Sequence, residues 1–482
     1  MTEGKTLKAF LAGTVAVLLM LLVPAAANAA VINVNTTADE YDTGSGCSLR
    51  EAITAAQTNA AFGGCPAGFA SDEIVLPGGD YLITRAGAEE DTNATGDFDI
   101  TGGNPLEIRP QGTNARVIID GNDLDRIFHK SSTGDLKLEG LRITNGKLTA
   151  IEDGGGLLSG VGLTSLENVT VDNNESAFQG GGIANYAQLL VVNSTISSNR
   201  ADGNGGGLYM PGGTGTTIRS STIYANTADA DDNGNGYGGG FAETGGFSVG
   251  FTNVLNAGNS GTPINPANQA FDCYSGPNYF PRFTLQGQPM GPSECLVGFN
   301  PGTNVQSLNP GVDAFLRYNG GQTPTHALLP GSPAIGAGGV SAPDECPGVD
   351  QNGYGRPAGQ CDIGAVQFRP EPSVVITRIK PKRKVIRRKA SRLISVVLRN
   401  NGTGAATKLK VCLKLPKAAR KGLKIKGKAC RNLGNLAIGA SKTAKIRLMA
   451  RPKAKRKAYT LRATFKAENT KNAFRQFKVR VK

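Results

Sequence analysis

The densest group of residues that could do chemistry is a set of carboxylates between positions 97 and 126. Clustered carboxylates can bind calcium or, as a pair at a defined separation, hydrolyse a glycosidic bond. Asp is also common in tight turns, because its side chain bonds to nearby backbone. We therefore favour solvated turn carboxylates and keep calcium or carbohydrate binding as the alternative. The candidate binding residues are Asp97, Asp99, Asp120, Asp123, Asp125 and Arg126.

Other catalytic or metal-binding patterns are weak in this sequence. His129 and His326 are the only histidines and no C-x-x-C occurs, which disfavours zinc. His129 has no recognisable Ser or Cys nucleophile motif beside it, so we predict structural or solvent-facing roles for both histidines. Trp, whose ring often stacks on sugars, is absent. The sequence favours a non-catalytic protein without a cofactor, with calcium as the one ion it could bind.

The architecture on which these residues lie is indicated by a repeat that runs from Leu138 to Phe241. Segment 166–174, Leu-Glu-Asn-Val-Thr-Val-Asp-Asn-Asn, is followed by similar segments at 191–199 and 218–226. The offsets between the segments are 25 and 27 residues, which is typical of a solenoid. Glycine triplets recur with the repeat, at 154–156, 180–182, 205–207 and 238–240.

The repeat predicts short stacked strands. β-Branched residues, brevity and terminal Gly or Asn favour strands over helices. A coil of about 25 residues is long enough for roughly three strands and three turns. We expect Asn174, Asn199 and Asn226 to tolerate positive φ and to stack as a ladder at one corner, with glycines where a Cβ would clash. The predicted fold is an all-β, right-handed parallel β-helix of the pectin lyase-like type.

A helix signal precedes the repeat, in Cys47-Ser-Leu-Arg-Glu-Ala-Ile53. Ser48 can cap this helix and Glu51 can close a capping box. The residues expected on one apolar side are Leu49, Ala52, Ile53 and Ala56. Such a helix would cover the open end of a β-helix. The segment resembles the CSLREA domain family, named for this signature, and the resemblance implies a secreted, surface-directed β-helix protein. It continues through residues 72–78, 81–84, 96–100 and 117–121.

The far border of the repeat resembles the choice-of-anchor Q domain family. The resemblance lies in Tyr318-Asn-Gly-Gly-Gln-Thr-Pro-Thr-His-Ala-Leu-Leu-Pro-Gly-Ser-Pro-Ala-Ile335. It continues through Asp350-Gln351, Arg356-Pro357 and Cys361-Asp-Ile-Gly-Ala365. That family typically closes bacterial β-helices that precede varied surface-attachment devices. Two positions depart from its pattern: Gly336 replaces the usual Asp and Asn352 the usual Arg, which weakens any claim to a local salt bridge or cation site there but not the resemblance itself.

The first 29 residues predict a secretory signal peptide. Lys5 and Lys8 precede an apolar run at 9–25, and Ala27-Asn-Ala29 offers cleavage after Ala29. No later run is long enough to span a bilayer. Export favours oxidised cysteines, and their spacing suggests local pairs, although other pairings stay open. The expected pairs are Cys47–Cys65, Cys273–Cys295, Cys346–Cys361 and Cys412–Cys430.

Charge divides the chain near Pro370. Residues 31–371 carry 15 basic and 36 acidic side chains, whereas residues 372–482 carry 35 basic and one acidic. Short apolar runs broken by turns predict a small antiparallel β-sandwich in the second part. Residues 398–405 resemble the start of an Ig-like bacterial domain related to cell adhesion. Clustered cations attract polyanions, and sparse aromatic residues disfavour nucleic acid, so we favour envelope polymers over a purely solubilising role.

We predict a secreted, cell-surface-associated adhesion or structural protein, tethered by its cationic domain to anionic envelope polymers or polysaccharide. The alternative is a secreted polysaccharide lyase or hydrolase of the pectate-lyase-like type. Convergence of three or more candidate residues in one groove would favour the enzyme. The expected boundaries are 1–29 for the signal peptide, 30–135 for the CSLREA-type cap and first coils, 136–300 for the repeats, 301–368 for the choice-of-anchor Q-like end, 369–373 for a linker and 374–482 for the basic Ig-like sandwich.

Overall fold

The repeated segments pair strand on strand in a parallel β-helix, and a separate antiparallel region follows it. Both are seen in a computed structural model of the chain. The described residues are 29–87, 90–212, 215–246, 248–262, 272–275, 279–287, 300, 302–340, 345–357 and 359–482. The predicted signal segment up to residue 28 and Cys295 lie outside the described residues. No helix in the described part of the chain is long and apolar enough to cross a membrane.

Two of the β-helix walls are sheet 1 and sheet 2, in which all strands pair in parallel. Sheet 1 contains, in spatial order, Ala30–Asn33, Asp72–Leu76, Leu106–Pro110, Leu136–Glu139, Leu163–Glu167, Gln188–Val192, Thr216–Arg219, Val249–Thr252 and Tyr279–Arg282. Sheet 2 contains Phe98–Ile100, Phe128–Lys130, Leu157–Ser159, Ile183–Asn185, Leu208–Met210, Phe241–Glu243 and Cys273–Tyr274.

The third wall is sheet 3, and a short sheet 4 lies at one corner. Sheet 3 contains Gly79–Leu82, Val117–Asp120, Leu141–Thr144, Thr170–Asp172, Thr195–Ser197, Thr222–Tyr224, Leu255–Ala257, Leu285–Gln286 and Val305–Gln306. Sheet 4 contains Lys147–Leu148, Glu175–Ser176 and Arg200–Ala201. Each coil therefore adds one strand to each wall, so equivalent residues of successive coils become neighbours.

The register confirms the alignment of the repeats. Leu166 pairs with Val191, and Val191 with Ile218, in sheet 1. The residues five positions later in each repeat, beginning with Val171, pair in the same way in sheet 3. The odd spacing is explained by a bend between the two walls, where Asn168 has a φ of 56°. The bend lets both apolar positions of one repeat face the same core.

The predicted asparagine ladder is confirmed, but the reason given for it needs a correction. The Asn199 Oδ1 accepts hydrogen bonds from the backbone N and the Nδ2 of Asn174, both at 3.0 Å. Asn226 and then Asn259 continue the same pattern. Positive φ is found one position before each of the three predicted asparagines, at Asn173, Ser198 and Ala225. The ladder asparagines therefore act through their side-chain amides and not through an unusual backbone.

The glycine triplets lie where neighbouring coils approach closely, as predicted. The first glycine of each triplet has positive φ, for example 68° at Gly205. A Cβ on Gly206 would lie 2.3 Å from the backbone C and O of Thr227 in the next coil. A side chain at this position would therefore push two coils apart.

The N-terminal helix spans Leu49–Thr58 and closes the β-helix core. The Ser48 side chain and the Glu51 side chain form the predicted capping box. Arg50 is also fully buried and contacts Asp39 at 2.6 Å. Its guanidinium donates to backbone oxygens of Gly96 and Asp97, both at 2.8 Å. The helix is thereby tied to the loop that enters sheet 2.

Residues 302–340, 345–357 and 359–368 have little regular structure and pack against the β-helix from the coil that contains Ala115 to the last coils. Gln351 contacts three hydroxyls, and its Nε2 donates to the backbone O of Val169 at 3.1 Å. His326 is buried, with its ring nitrogens 2.8 Å from Ser197 Oγ and 2.7 Å from the Asp313 backbone O. The structural role predicted for His326 is therefore confirmed.

The basic C-terminal region forms two sheets around its own apolar core. Sheet 5 contains, in spatial order, Val374–Lys380, Ser391–Asn400, Ser441–Ala450 and Leu423–Lys426. Sheet 6 contains Val385–Ile386, Thr470–Val481, Ala458–Ala467, Ala406–Lys414 and Cys430–Leu436. All pairs are antiparallel except the short Val385–Ile386, which is parallel to its neighbour. A one-turn helix covers Lys417–Arg420.

Three of the four expected disulfides are confirmed. The bonded pairs are Cys47–Cys65, Cys346–Cys361 and Cys412–Cys430. Cys273 is also disulfide-bonded, but the expected partner, Cys295, is outside the described residues. The Cys412–Cys430 bond joins two directly paired residues of neighbouring strands in sheet 6.

Candidate functional site

A groove of about 420 Å³ lies along the outer face of sheet 2, near the helix-capped end. Alternation along the first two strands of the sheet places Phe98 and Phe128 in the core, so Asp99 and His129 project from the opposite face. The groove thus draws side chains from several successive coils. Its lining residues are Glu90, Asp91, Asp97, Asp125, Arg126, His129, Glu152, Asp153, Leu158, Gly160 and Tyr186.

The structure brings together some of the residues predicted from the sequence and separates others. Asp97, Asp125 and Arg126 line the groove, and Asp99 is fully buried behind it beside His129. Asp120 lies at the end of a sheet 3 strand, where its carboxylate accepts hydrogen bonds from Asn145 Nδ2.

Asp123 is exposed in a turn with a φ of 55°. The turn interpretation therefore describes Asp120 and Asp123, whereas Asp97, Asp125 and Arg126 converge on one groove.

Arg126 joins the acidic side chains of the groove floor. Its Nη1 lies 3.1 Å from Asp97 Oδ2 and its Nη2 lies 2.8 Å from Glu152 Oε2. Its Nε donates to the backbone O of Asp153 at 3.2 Å. Burial raises the pKa of Asp97 to about 8; Arg126 opposes this shift, and Asp99 and Asp125 add to it. Asp97 therefore holds a proton more readily than an ordinary carboxyl group.

Asp125 fixes the loop on which Arg126 lies. Its Oδ1 accepts from the backbone N of Arg126 at 2.7 Å, and its Oδ2 accepts from the backbone N of Asp97 at 3.3 Å. Burial raises the pKa of Asp125, while these hydrogen bonds and the Arg126 charge lower it. This carboxyl group links two coils, so it has a structural role in holding the groove together.

His129 stands between two carboxylates at one side of the groove. Its Nδ1 lies 3.3 Å from Asp91 Oδ1 and 3.3 Å from Asp99 Oδ1. The Asp99 carboxylate raises the pKa of His129, although burial acts in the opposite direction. The prediction of a structural or solvent-facing histidine did not anticipate this placement.

An exposed aromatic ring borders the groove at Tyr186. Its hydroxyl donates to the Asp153 carboxylate, and 42% of the residue surface is accessible. Burial raises the pKa of Asp153, and the hydrogen bond from Tyr186 lowers it. An aromatic face beside hydrogen-bonding carboxylates is a combination that suits a sugar ring and its hydroxyls.

Sequence reasoning missed Glu90, Asp91, Glu152, Asp153 and Tyr186 as groove residues. One weak signal was available for Asp153, which precedes the first glycine triplet. The residues before the other three triplets are uncharged: Gln179, Asn204 and Tyr237. An acidic side chain at this position therefore departs from the repeat, as a residue with a separate role would.

A second charged surface lies on the C-terminal sandwich, where basic residues pair directly across strands. Lys410 pairs with Lys466 and Lys414 pairs with Arg462 in sheet 6. In sheet 5, Lys426 pairs with Arg447. All six side chains are exposed. We call these residues the like-charge rows.

Comparison with known proteins gives no family for this chain. No family model matches it, and no curated protein matches it. One solved structure with a partial likeness is a family 123 glycoside hydrolase from Clostridium perfringens, which acts on glycolipid glycans. It shares 12% identity over 24% of this chain and 27% of the hydrolase, with a TM-score of 0.18.

Two further structures are similar over short parts. E. coli alpha-2-macroglobulin shares 16% identity over 26% of this chain and 8% of its own, with a TM-score of 0.17. AvmM, which catalyses macrocyclization in alchivemycin A biosynthesis, shares 13% identity over 23% of this chain and 89% of its own, with a TM-score of 0.17. TM-scores this low carry no argument about function.

Proposed function

We propose that this chain is an exported, cell-surface-associated adhesion or structural protein, whose cationic sandwich holds anionic envelope polymers and whose β-helix forms the displayed surface. The observation that carries the proposal is the set of like-charge rows. Like charges directly opposite each other on a sheet destabilise it by a few tenths of a kcal/mol or more. A bound polyanion would remove that repulsion, because it places negative charge over both members of each row.

The composition of the sandwich supports the same proposal. Glu468 is its one acidic side chain against 35 basic ones, and it is paired with Lys408 at 2.8 Å. That leaves almost no internal compensation for the remaining cations. The resemblances to the CSLREA, choice-of-anchor Q and Ig-like adhesion-related families belong to the proposal as well, because all three imply surface proteins. Three intact disulfides fit an oxidising compartment.

The test is retention of the full chain on a dextran sulfate resin. Retention is expected to fall steeply as sodium chloride rises from about 0.05 M to about 0.5 M, because salt screens charge attraction. The double variant Lys414→Glu, Lys466→Glu should weaken binding about tenfold, the size of effect expected when interfacial charge contacts are reversed.

The matched control for this test is Lys382→Glu, Lys453→Glu, which makes the same charge change at exposed positions outside the like-charge rows. It should weaken binding much less. Salt-insensitive retention, or equal losses in the two double variants, would contradict binding through these rows.

A second candidate function is glycan binding in the groove, with glycoside hydrolysis as its catalytic form. Convergence of Asp97, Asp125 and Arg126 favours it. Asp97 Oδ2 and Glu152 Oε2 contact one planar guanidinium, so they lie at most about 8 Å apart, which is below the upper limit of about 9.5 Å for carboxyl pairs in glycosidases. However, Asp97 has only 7% of its side chain accessible and is paired with Arg126. Burial and pairing favour binding over catalysis.

The groove is tested by a glycan array and by Tyr186→Ala. Loss of the ring should weaken any glycan bound in the groove by about tenfold, the effect of removing one central aromatic contact. Phe178→Ala is the matched control, because Phe178 is 41% accessible and does not line the groove. Release of reducing ends from an array-positive glycan, lost in Asp97→Asn, would establish the catalytic form instead.

A further inference from the structure

Three side chains that can ligate a metal meet at one side of the groove: Asp91, Asp99 and His129. Asp99 and His129 are direct partners in neighbouring parallel strands of sheet 2, so they project from the same face. Asp91 comes from the segment that enters this sheet. One ligand atom from each residue lies within 4.8 Å of the others.

The separations match those of ligands around one small ion. His129 Nδ1 is 3.3 Å from an oxygen of each carboxylate. Two ligand atoms that are each about 2.1 Å from an ion lie about 3.0 Å apart at octahedral angles and about 3.4 Å apart at tetrahedral angles. The observed distance falls between these values, and it is long for an N–H···O hydrogen bond.

The Asp99 carboxylate supplies an independent indication of a ligand. The residue is fully buried, and among the described residues its Oδ1 has no hydrogen bond of ordinary length, since the ion-pair contact with His129 Nδ1 measures 3.3 Å. This is the oxygen that lies beside His129 Nδ1. A buried carboxylate oxygen without a hydrogen bond is costly unless a cation compensates it.

The other Asp99 oxygen is held in place by residues behind it. Oδ2 accepts from the backbone N of Asn93 at 3.1 Å. Asn93 Nδ2 in turn donates to the Arg50 backbone O and to Thr54 Oγ1, both at 2.9 Å. The N-terminal helix thus orients this carboxylate, as groups behind a metal ligand commonly do.

We infer that Asp91, Asp99 and His129 form a binding site for a divalent transition-metal ion of the Zn²⁺ type, with a coordination position open to the groove. An imidazole with two carboxylates suits such an ion better than calcium, which takes six to eight oxygen ligands. Three protein ligands leave a fourth position for water or for a ligand oxygen. The Asp91 side chain is 74% accessible, and Asp91 and His129 both line the groove, so an ion held by them would be reached from the groove.

The direct test is Zn²⁺ titration of the chelator-treated full chain by calorimetry at pH 7. His129→Gln should lower the Zn²⁺ affinity at least 100-fold and Asp91→Asn about tenfold. Asp80→Asn, an exposed acidic residue outside the cluster, should leave it unchanged. Asp91 is exposed, so its variant separates metal binding from folding even if changes at buried Asp99 unfold the cap.

Histidine NMR gives a second readout. The chain has two histidines, and His326 is buried between Ser197 and Asp313, so it serves as an internal reference. Zn²⁺ should shift the ring signals of His129 and leave those of His326 in place. Unshifted His129 signals, or equal Zn²⁺ affinity in His129→Gln, would overturn the inference and leave His129 as a protonated partner of two carboxylates. No glycan or polyanion is present in this test, so its failure would be distinct from failure of the proposed functions.

Discussion

At the scale of single residues, the positive charge of Arg126 stabilises the buried carboxyl groups of the groove floor. Arg126 contacts Asp97 and Glu152, which lie in different coils, and both the arginine and Asp97 are largely buried. A buried charge is tolerated only when it is paired and hydrogen-bonded. The groove floor is therefore a hydrogen-bonded cluster in which Arg126 contacts both carboxyl groups and each member depends on the others.

Replacement of this guanidinium should destabilise the β-helix strongly. We expect Arg126→Met to lower the free energy of unfolding by about 3 kcal/mol, because it leaves buried carboxyl groups without their partner. Urea unfolding followed by circular dichroism measures the change. Arg200→Met, at an exposed position, should stay within about 0.5 kcal/mol of the unmodified chain. Similar losses in both variants would contradict the special role of Arg126.

The raised pKa of Asp97 gives the β-helix a dependence on pH. Its folded-state pKa of about 8 lies above the value of about 4 expected in an unfolded chain, so between these pH values the folded state binds more protons. The free energy of unfolding should therefore fall as pH rises through this window. Asp97→Asn should reduce that fall, as measured by urea midpoints at pH 5 and pH 9, while Asp80→Asn should not. An identical pH dependence in Asp97→Asn and the unmodified chain would show that Asp97 titrates normally.

At the scale of elements, the asparagine ladder connects successive coils through hydrogen bonds that are separate from those of the sheets. Asn199 makes four side-chain hydrogen bonds, to Asn174, Val171 and Asn226. Among the described residues the ladder continues to Asp272, whose Oδ1 accepts from the backbone N and Nδ2 of Asn259. Since every amide is buried, removal of one leaves unsatisfied groups in the coils above and below it.

We expect Asn199→Ala to lower the free energy of unfolding by about 3 kcal/mol, because the buried amides of Asn174 and Asn226 lose partners. The measurement is again urea unfolding. Asn235→Ala is the control, because Asn235 is exposed in a loop of the same β-helix. Unfolding of the two variants at the same urea concentration would contradict a stabilising role of the asparagine ladder.

At the scale of the whole molecule, the chain joins an acidic β-helix to a basic sandwich. The counts are 15 basic and 36 acidic residues at 31–371, against 35 and one at 372–482. Net charge of one sign destabilises a folded domain by self-repulsion. The sandwich should therefore carry a stability penalty that a purely structural domain would not need.

The destabilisation by like charges can be measured at one cross-strand pair, Lys410 and Lys466. Lys466→Glu turns the Lys410–Lys466 contact into an opposite-charge pair, so it should raise the free energy of unfolding of the sandwich by about 0.5 kcal/mol while weakening polyanion binding. Thermal unfolding at low salt is the measurement. Lys478→Glu makes the same charge change opposite the uncharged Thr460 and should stabilise less. A destabilised Lys466→Glu variant would contradict repulsion within the row.

The candidate site was only partly predictable. Asp97, Asp125 and Arg126 were selected because carboxylates cluster near them in the sequence, but the same criterion also selected Asp120 and Asp123, which lie elsewhere. The wall on which a residue lies depends on where each coil bends, and the turn lengths between walls vary from coil to coil. Neighbours such as Asp99 and His129 are 30 positions apart, so sequence proximity could not reveal their contact.

The sequence by itself determined the β-helix, its capping helix, the basic sandwich and the local disulfides that could be compared. Each of these depends on short-range patterns: a period of 25 to 27 residues, a capping box, alternating apolar residues and nearby cysteines. Only the tertiary structure decided that loops and strands of successive coils build one acidic groove with a histidine between two carboxylates. The reason is that stacking converts separations of about one coil into direct contact, and only the register fixes which side chains meet.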